Sequence, residues 1–183
     1  VVSADSGTYT LGSNVKIGYY DQEHHVLHME KTIFDEISDD YPTLTNTEIR
    51  NVLAAFLFTG DDVFKQISSL SGGERGRVSL AKLMLSEANF LILDEPTNHL
   101  DIRYRLEILS VIKDLQITVL AALHDLSLAA QFCDYLYLMK QGEIVTQGMP
   151  EAVMTSENLH RIFDVEACVY PSPINGKLMI QYL

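Results

Sequence analysis

Two stretches decide the fold of this chain: Leu70-Ser71-Gly72-Gly73-Glu74 and Phe90-Leu91-Ile92-Leu93-Asp94-Glu95-Pro96. The first pairs a serine with a glutamate three residues later, which is the capping-box pattern that begins a helix. The second is an apolar run that predicts a strand buried on both faces of a parallel sheet, and it ends in two carboxylates. A helix start offers backbone N–H groups and the positive end of the helix dipole to a phosphate. Together the two stretches predict an α/β domain with a phosphate site.

Length and composition are those of an ordinary globular domain. The chain has 183 residues, of which 47% are hydrophobic and 21% charged. Acidic residues outnumber basic ones by 25 to 13, and the net charge of −12 argues against a large nucleic-acid-binding face. The two cysteines suggest neither a disulfide framework nor a metal site. With no apolar run of membrane-spanning length and no signal peptide, we expect a cytoplasmic chain that reaches a membrane only through a partner.

The first half of the chain is predicted to contain a hairpin, a helical lobe and one long helix. Two β-rich runs, 7–12 and 15–20, flank a Gly-Ser-Asn turn and read as a hairpin. Residues 30–65 show helical spacing, divided near Pro42 into two helices, the second capped near Thr45 or Thr47. The long helix runs from Ser71 to Leu85.

The second half alternates helices and strands. A helix over 104–115 leads into a second buried strand over 117–123, so a right-handed parallel crossover is expected. A hairpin is predicted over 135–147 with its turn at Gln141-Gly142. Two short helices before Phe163 and a last hairpin around Asn175-Gly176 close the chain.

Three polar side chains are predicted at the carboxyl ends of the two buried strands, where open parallel sheets bind ligands. Asp94 suits Mg²⁺, which prefers oxygen ligands and keeps much of its hydration. Glu95, one step further out, is placed to polarise a water for attack on a γ-phosphate. His124 ends the next strand and can donate a hydrogen bond to that phosphate. Taken alone, the two carboxylates would be better interpreted as an ordinary acidic pair at a strand end. Taken alone, His124 would be better interpreted as a core histidine.

The start of the long helix is the second candidate site. Ser71 adds a hydroxyl donor, and Gly72 and Gly73 let a phosphate come close to the backbone. The alternative is an ordinary capped helix, since serine caps are common. Asp101 follows the carboxylates, and its structural role would be to cap the next helix. Gln22 lies just after the strand 15–20, where a glutamine is usually only a surface residue.

Three histidines, His24, His25 and His28, crowd beside Asp21 and Glu23. His24 and His28 are one helical turn apart, which makes a metal site conceivable. No set of ligands with matching spacing appears, so we favour a solvated, weakly pH-sensitive face.

These motifs resemble the nucleotide-binding domain of the ABC ATPase superfamily over essentially the whole chain. The resemblance implies a P-loop NTPase-like α/β core with a parallel sheet, a small antiparallel β part and a helical lobe, here about residues 23–69. It also implies that two such domains pair head to tail and bind ATP and Mg²⁺ at their interface. By matching motif, the Q-loop glutamine that reaches the metal or attacking water is Gln22, the signature is Ser71, Gly72 and Gly73, the Walker B aspartate is Asp94, the catalytic glutamate is Glu95, the D-loop aspartate is Asp101 and the switch histidine is His124.

The two halves are similar to different branches of the superfamily. Residues 1–102 resemble ABC-F proteins, the ribosome-acting branch, and residues 103–183 resemble importer ATPases for iron-siderophore or cobalamin uptake. A seam near Ile102-Arg103 is therefore plausible. The resemblance implies as partners a second ABC ATPase domain and a transmembrane permease subunit, at the inner face of the membrane, or else a ribosome.

One expected motif is absent, because no G-x-x-x-x-G-K-[ST] loop occurs between Val1 and Leu183. We therefore expect a single, N-terminally truncated nucleotide-binding domain that is inactive by itself, with a gap beside the strand 90–93 or self-association there. Three functions stay open: the ATP hydrolase of a transporter, a fragment of an ABC-F translation factor, and a non-catalytic donor of the signature to an intact ABC domain.

Overall fold

The computed structural model describes residues 8, 10–20, 27–98 and 100–183. They form two compact units. The first comprises the described residues up to Pro96 together with Gln116–Ala121. The second comprises Thr97–Leu115 and Ala122–Leu183.

The first unit combines a small sheet with a helical lobe. Its elements, in chain order, are β1 (Ile17–Tyr20), α1 (Ile33–Asp40), α2 (Asn46–Ala55), two short 3₁₀ helices (Gly60–Phe64 and Ile67–Ser69), α3 (Gly72–Leu85), β2 (Phe90–Asp94) and β3 (Thr118–Ala122), whose last residue belongs to the second unit. Thr45 caps α2 through a capping box with Glu48, which confirms the predicted cap. The lobe has a fully buried apolar core that includes Ile33, Ile37, Ile49, Leu53 and Ile67.

The sheet of the first unit has the strand order β1-β2-β3. β1 pairs with β2 in parallel, with Ile17 opposite Phe90 and Tyr20 opposite Leu93. Because β2 has a strand on each side, the predicted gap beside it is wrong. The expected burial on both faces is also wrong: Leu91 and Leu93 are buried, whereas Phe90 and Ile92, on the other face, are partly exposed. In β3, Leu120 is 50% exposed, so β3 is not the buried strand that its apolar sequence predicted.

The predicted hairpin at the start of the chain is not formed. The described residues before Ile17 contain a turn at Ser13-Asn14, closed by a hydrogen bond from Val15 N to Gly12 O of 3.1 Å, but no strand. β1 takes its partner from β2 instead. Strand propensity and a turn signal are local, whereas the choice of partner depends on packing across the chain. The sequence therefore predicted the turn correctly but the strand pairing incorrectly.

The second unit contains four helices and two antiparallel hairpins. The elements are α4 (Ile102–Asp114), α5 (Leu126–Phe132), β4 (Leu136–Lys140), β5 (Glu143–Gly148), α6 (Pro150–Val153), α7 (Ser156–Phe163), β6 (Ala167–Pro171) and β7 (Leu178–Tyr182). β4 pairs with β5 and β6 with β7, which confirms both predicted hairpins and the two short helices between them. The core of the second unit includes Leu136, Leu138, Met154, Leu159 and Ile162.

The turn between β4 and β5 offers a stability prediction. Gln141 has φ 51° and Gly142 φ 84°, so both residues are left-handed, as in a type I′ turn. Asparagine tolerates this region better than glutamine. We expect Gln141→Asn to raise the free energy of unfolding by about 0.5–1 kcal/mol in denaturant titrations. The matched control is Gln147→Asn, an exposed strand position in the same hairpin, where no gain is expected. A gain equal to that of the control would contradict the strain argument.

Candidate functional site

The start of α3 has the geometry that its sequence predicts. Ser71 is the N-cap residue, and its hydroxyl oxygen accepts a hydrogen bond from Glu74 N at 3.3 Å. In return, Glu74 Oε2 accepts from Ser71 N and from the Ser71 hydroxyl, both at 2.8 Å. The bond from the Ser71 backbone N–H lowers the pKa of Glu74 below its ordinary value, with a further contribution from the Ser71 hydroxyl. The capping box is confirmed and keeps the glutamate ionised.

Gly72 opens α3 on an accessible surface. Ser71 and Gly72 are exposed, and a Cβ built at Gly72 would meet no described atom of the chain within 4 Å. Packing within the described residues therefore does not require glycine there, although alanine has the higher helix propensity. The missing side chain leaves the first amides of the helix open to an outside group. This is the arrangement that a phosphate needs at a helix start.

Two arginines donate hydrogen bonds to the backbone just before the starts of α3 and α4. Arg75 Nη1 donates to Leu70 O at 2.7 Å, just before the N-cap Ser71. Arg105 Nε donates to Leu100 O at 2.7 Å, just before Asp101. Sequence reasoning missed both residues. The available signal was the repeated spacing of five residues between a leucine and an arginine.

The carboxylates lie where β2 ends. Asp94 is the last residue of β2 and is exposed, so its oxygens are open to a hydrated Mg²⁺. Glu95 follows with φ 47°, a left-handed conformation that costs energy for any residue except glycine. Such outliers cluster at functional sites, where the strain serves to aim a side chain. The described residues thus fit a magnesium ligand and, beside it, a second carboxylate on a left-handed backbone.

Asp101 and His124 belong to the second unit, whereas Asp94 and Glu95 belong to the first. The predicted common rim of the carboxylates and His124 therefore stays a prediction. Asp101 occupies the N-cap position of α4, but its side chain makes no capping hydrogen bond. The alternative role of Asp101 as a side-chain cap is therefore not supported, and the exposed carboxylate faces solvent. His124 is also exposed, and the following residue, Asp125, caps α5 by accepting from Leu128 N at 3.0 Å.

The glutamine and histidine predictions fall largely outside the described residues. Gln22, His24 and His25 lie among residues 21–26, which the structure does not describe. His28 is described, and its Nδ1 lies 3.1 Å from Oε2 of the fully buried Glu36. The His28 side chain is also 52% exposed, so the predicted solvated position is confirmed for this histidine. Within residues 27–98 and 100–183, no three His, Cys, Asp or Glu side chains are grouped to hold a metal ion.

Comparison with known proteins identifies the motifs. The profile of the ABC transporter family matches residues 8–98, from before β1 to just past the carboxylates. This chain carries an ABC-type ATPase domain. The fold of this ABC ATPase domain is α/β, with a parallel sheet, small antiparallel sheets and helices. None of the helices that the structure describes is long and apolar enough to cross a membrane.

Two curated relatives are named as ATP-binding proteins. The ATP-binding protein YdiF of Bacillus subtilis is 54% identical over 121 residues, which are 66% of this chain and 19% of YdiF. The cobalamin import ATP-binding protein BtuD of Halobacterium salinarum is 37% identical over 142 residues, which are 74% of this chain and 36% of BtuD. The chain thus spans about a fifth and about a third of the length of these relatives.

A solved structure shows the likeness of fold. A metal-chelate type ABC transporter in an inward-facing conformation superposes with a TM-score of 0.69 at 20% sequence identity. The match covers 91% of this chain and 71% of that chain. At this identity the likeness concerns the fold alone.

Proposed function

We propose that this chain is part of the Mg²⁺-dependent ATP hydrolase of an ABC importer and that it energises transport through a membrane partner. The observation that carries the proposal is that the chain contains both an open, capped helix start at Ser71–Gly73 and the strand-end carboxylates Asp94 and Glu95. ABC ATPase domains bind ATP with Mg²⁺. The import role is supported by the cobalamin importer among the relatives.

The roles of the residues follow from their chemistry. Bound Mg²⁺ would neutralise phosphate charge, and Asp94 would hold it through an exposed carboxylate oxygen. Glu95 would accept a proton from the attacking water, aimed by its left-handed backbone. Ser71 and the first amides of α3 would bind the γ-phosphate of a nucleotide held by a partner domain. His124 would donate to the same phosphate, Asp101 would line the paired interface, and Gln22 would reach the metal or the water.

The proposed assembly is a head-to-tail pair of ABC ATPase domains on the cytoplasmic face of a transmembrane permease. We also propose that the two units belong to one nucleotide-binding domain, with residues 23–69 as its helical lobe. A ribosomal role, raised by the resemblance of residues 1–102, is favoured by no observation and is not proposed.

Hydrolysis is tested directly by phosphate release from ATP by the complete gene product, with Mg²⁺ and with EDTA. We expect release only with Mg²⁺. Metal-independent release, or no release at all, would contradict the hydrolase proposal.

The alternative, a donor of the signature to an intact ABC domain, shares the open surface at Gly72 with the hydrolase and is not favoured by the relatives, which include an import ATP-binding protein. Residues 1–183 contain no G-x-x-x-x-G-K-[ST] motif, and we propose that the contacts this motif makes to phosphate come from residues outside 1–183. A donor would pair with a complete ABC domain in an ATP-dependent way without hydrolysing ATP itself. Pairing together with hydrolysis that depends on Glu95 supports the first candidate.

The open helix start leads to a prediction on pairing. Gly72→Asp places a negative charge where the γ-phosphate would bind, so ATP-dependent pairing should weaken roughly tenfold or more. An acidic residue in the first turn of a helix does not destabilise it, so folding should be unaffected. Asn46→Asp is the matched control, because Asn46 is the first residue of α2 behind a capping box of the same kind. Equal pairing of the two variants, measured by light scattering with and without ATP, would contradict the role of Gly72.

The seam near Ile102-Arg103 also stays a proposal. It rests on the resemblance of residues 1–102 and 103–183 to different branches, because the matched lengths of the relatives do not locate a join. Continuous sequencing of source DNA across this point is the test. Recovery of two separate genes would place the join outside the cell, and one unbroken reading frame would make it natural.

A further inference from the structure

A buried carboxylate, Glu36 of α1, connects three parts of the first unit. Its side chain has no exposure to solvent. Oε1 forms an ion pair with Lys82 Nζ of α3. Oε2 lies 3.1 Å from His28 Nδ1 and accepts from His28 N at 3.4 Å. The carboxylate therefore ties the segment before α1 to the helix that begins with the signature.

Lys82, the other member of this ion pair, makes a second contact with α1. Its side chain is 9% exposed, and Nζ lies 2.7 Å from Asp40 Oδ2. Burial acts to lower the pKa of Lys82, but the hydrogen bonds with Asp40 and Glu36 outweigh it and raise the pKa, so the ammonium stays charged. Tyr41 Oη also donates to Lys82 O at 2.9 Å. Side chains from the end of α1 thus hold α3 through both its backbone and its charge.

The segment that His28 begins also pairs with the residues just before the signature. Ser68 N donates to Met29 O and Ile67 N donates to Lys31 O, both at 3.0 Å. Ser68 precedes Ser71 by three residues. The contacts of Glu36 therefore act on α3 at two places, near its end through Lys82 and near its start through the backbone pairing that follows His28.

We propose that Glu36 is a positioning residue that sets the placement of Ser71–Gly73 toward the nucleotide of the partner domain. An apolar side chain could fill the same volume, but a buried ion pair with satisfied hydrogen bonds also fixes direction and register. With an amide at position 36, Lys82 keeps its ion pair with Asp40 but loses the one with Glu36, so the charged anchoring of α3 is weaker. The inference rests on the proposed head-to-tail ATP hydrolase.

The test uses mixed pairs of the complete gene product, made from two differently tagged chains. One chain carries Glu95→Gln, so phosphate release depends on Glu95 of the other chain. In a head-to-tail pair, that active site uses the signature of the Glu95→Gln chain. We expect Glu36→Gln in the Glu95→Gln chain to lower release roughly tenfold, and Glu36→Gln in the active chain to change it less than about twofold. Asp61→Asn, which removes an exposed carboxylate from the helical lobe, should change neither arrangement.

A purely structural role would give a different pattern. Equal losses in both arrangements, or no loss in either, would overturn the inference. Release that persists when both chains carry Glu95→Gln would instead overturn the proposed function, and the inference with it.

A second variant separates positioning from folding. Glu36→Met combined with Lys82→Met removes both charges and keeps the volume similar, and such replacements of buried pairs are often neutral or stabilising. We expect this variant to fold. When it is placed in the Glu95→Gln chain, phosphate release should still be lowered. Full recovery of phosphate release there would show that Glu36 only supports the fold, which contradicts a positioning role.

Discussion

Replacing Glu95 with glutamine is expected to lower phosphate release from Mg-ATP roughly a hundredfold or more, because a positioned general base contributes about 10²–10⁴-fold. ATP affinity should stay within about twofold, since the amide keeps the length of the side chain and Asp94 still holds the metal. Binding is measured by equilibrium titration and turnover by phosphate release, both on the complete gene product.

The control for this variant is Glu151→Gln, which removes an exposed carboxylate from α6 in the second unit and should leave turnover unchanged. Glutamine at position 95 has to adopt the same left-handed backbone as glutamate, with φ 47° in the native chain. Stability should therefore change little. Unchanged turnover in Glu95→Gln would contradict the catalytic role of Glu95.

Gly18→Ala is expected to be the most destabilising small substitution in the sheet. A Cβ at Gly18 would lie 2.7 Å from Leu83 Cδ1, 2.9 Å from Ala88 Cβ and 2.9 Å from Leu91 Cδ2. The two leucine methyls can shift, but Ala88 has no side-chain torsion with which to move its Cβ away. Overpacking of this kind costs about 1–3 kcal/mol, and we expect the upper part of that range in denaturant titrations.

The matched control is Gly12→Ala, where a Cβ would meet Val15 Cγ2 at 3.4 Å, an ordinary contact. That substitution should be neutral or stabilising by up to about 1 kcal/mol, because alanine restricts the unfolded chain. If Gly18→Ala were as stable as Gly12→Ala, the close packing of β1 against α3 and β2 would be wrong.

Sequence predicted the features that depend on neighbouring residues. The helix caps at Thr45 and Ser71 and the turn at Gln141-Gly142 each form within a few residues, so the local sequence contains all the partners. The motifs around Ser71 and Asp94 likewise predicted the ABC ATPase fold. Short motifs were reliable because their geometry is local.

Sequence did not predict features that depend on distant partners. β1 pairs with a strand more than 70 residues away, and no local signal distinguishes that strand from a nearer one. The exposure of Leu120 in β3 could not be read from an apolar run, because burial depends on what covers each face. Asp101 shows the same limit, since its position predicted a cap that its side chain does not make.

The sequence contains a pattern that indicates the ion pair between Glu36 and Lys82. Glu36 stands between Ile33 and Ile37 at helical spacing, and Lys82 follows Val78 by one turn, so each charge lies on an apolar face. Acidic and basic residues are seldom buried unless they are paired. Two opposite charges on two apolar faces therefore indicate a pair, although sequence alone does not say which helices meet.

The decisive measurement is the mass of the Glu95→Gln protein by light scattering, with Mg-ATP and with Mg-ADP. Without hydrolysis, ATP should stay bound between a Walker B site and the signature of a second domain. The mass should therefore double with ATP but not with ADP, and Gly72→Asp added to Glu95→Gln should prevent the doubling. No nucleotide-dependent change, or the same doubling with Gly72→Asp present, would contradict a site shared between these carboxylates and this signature.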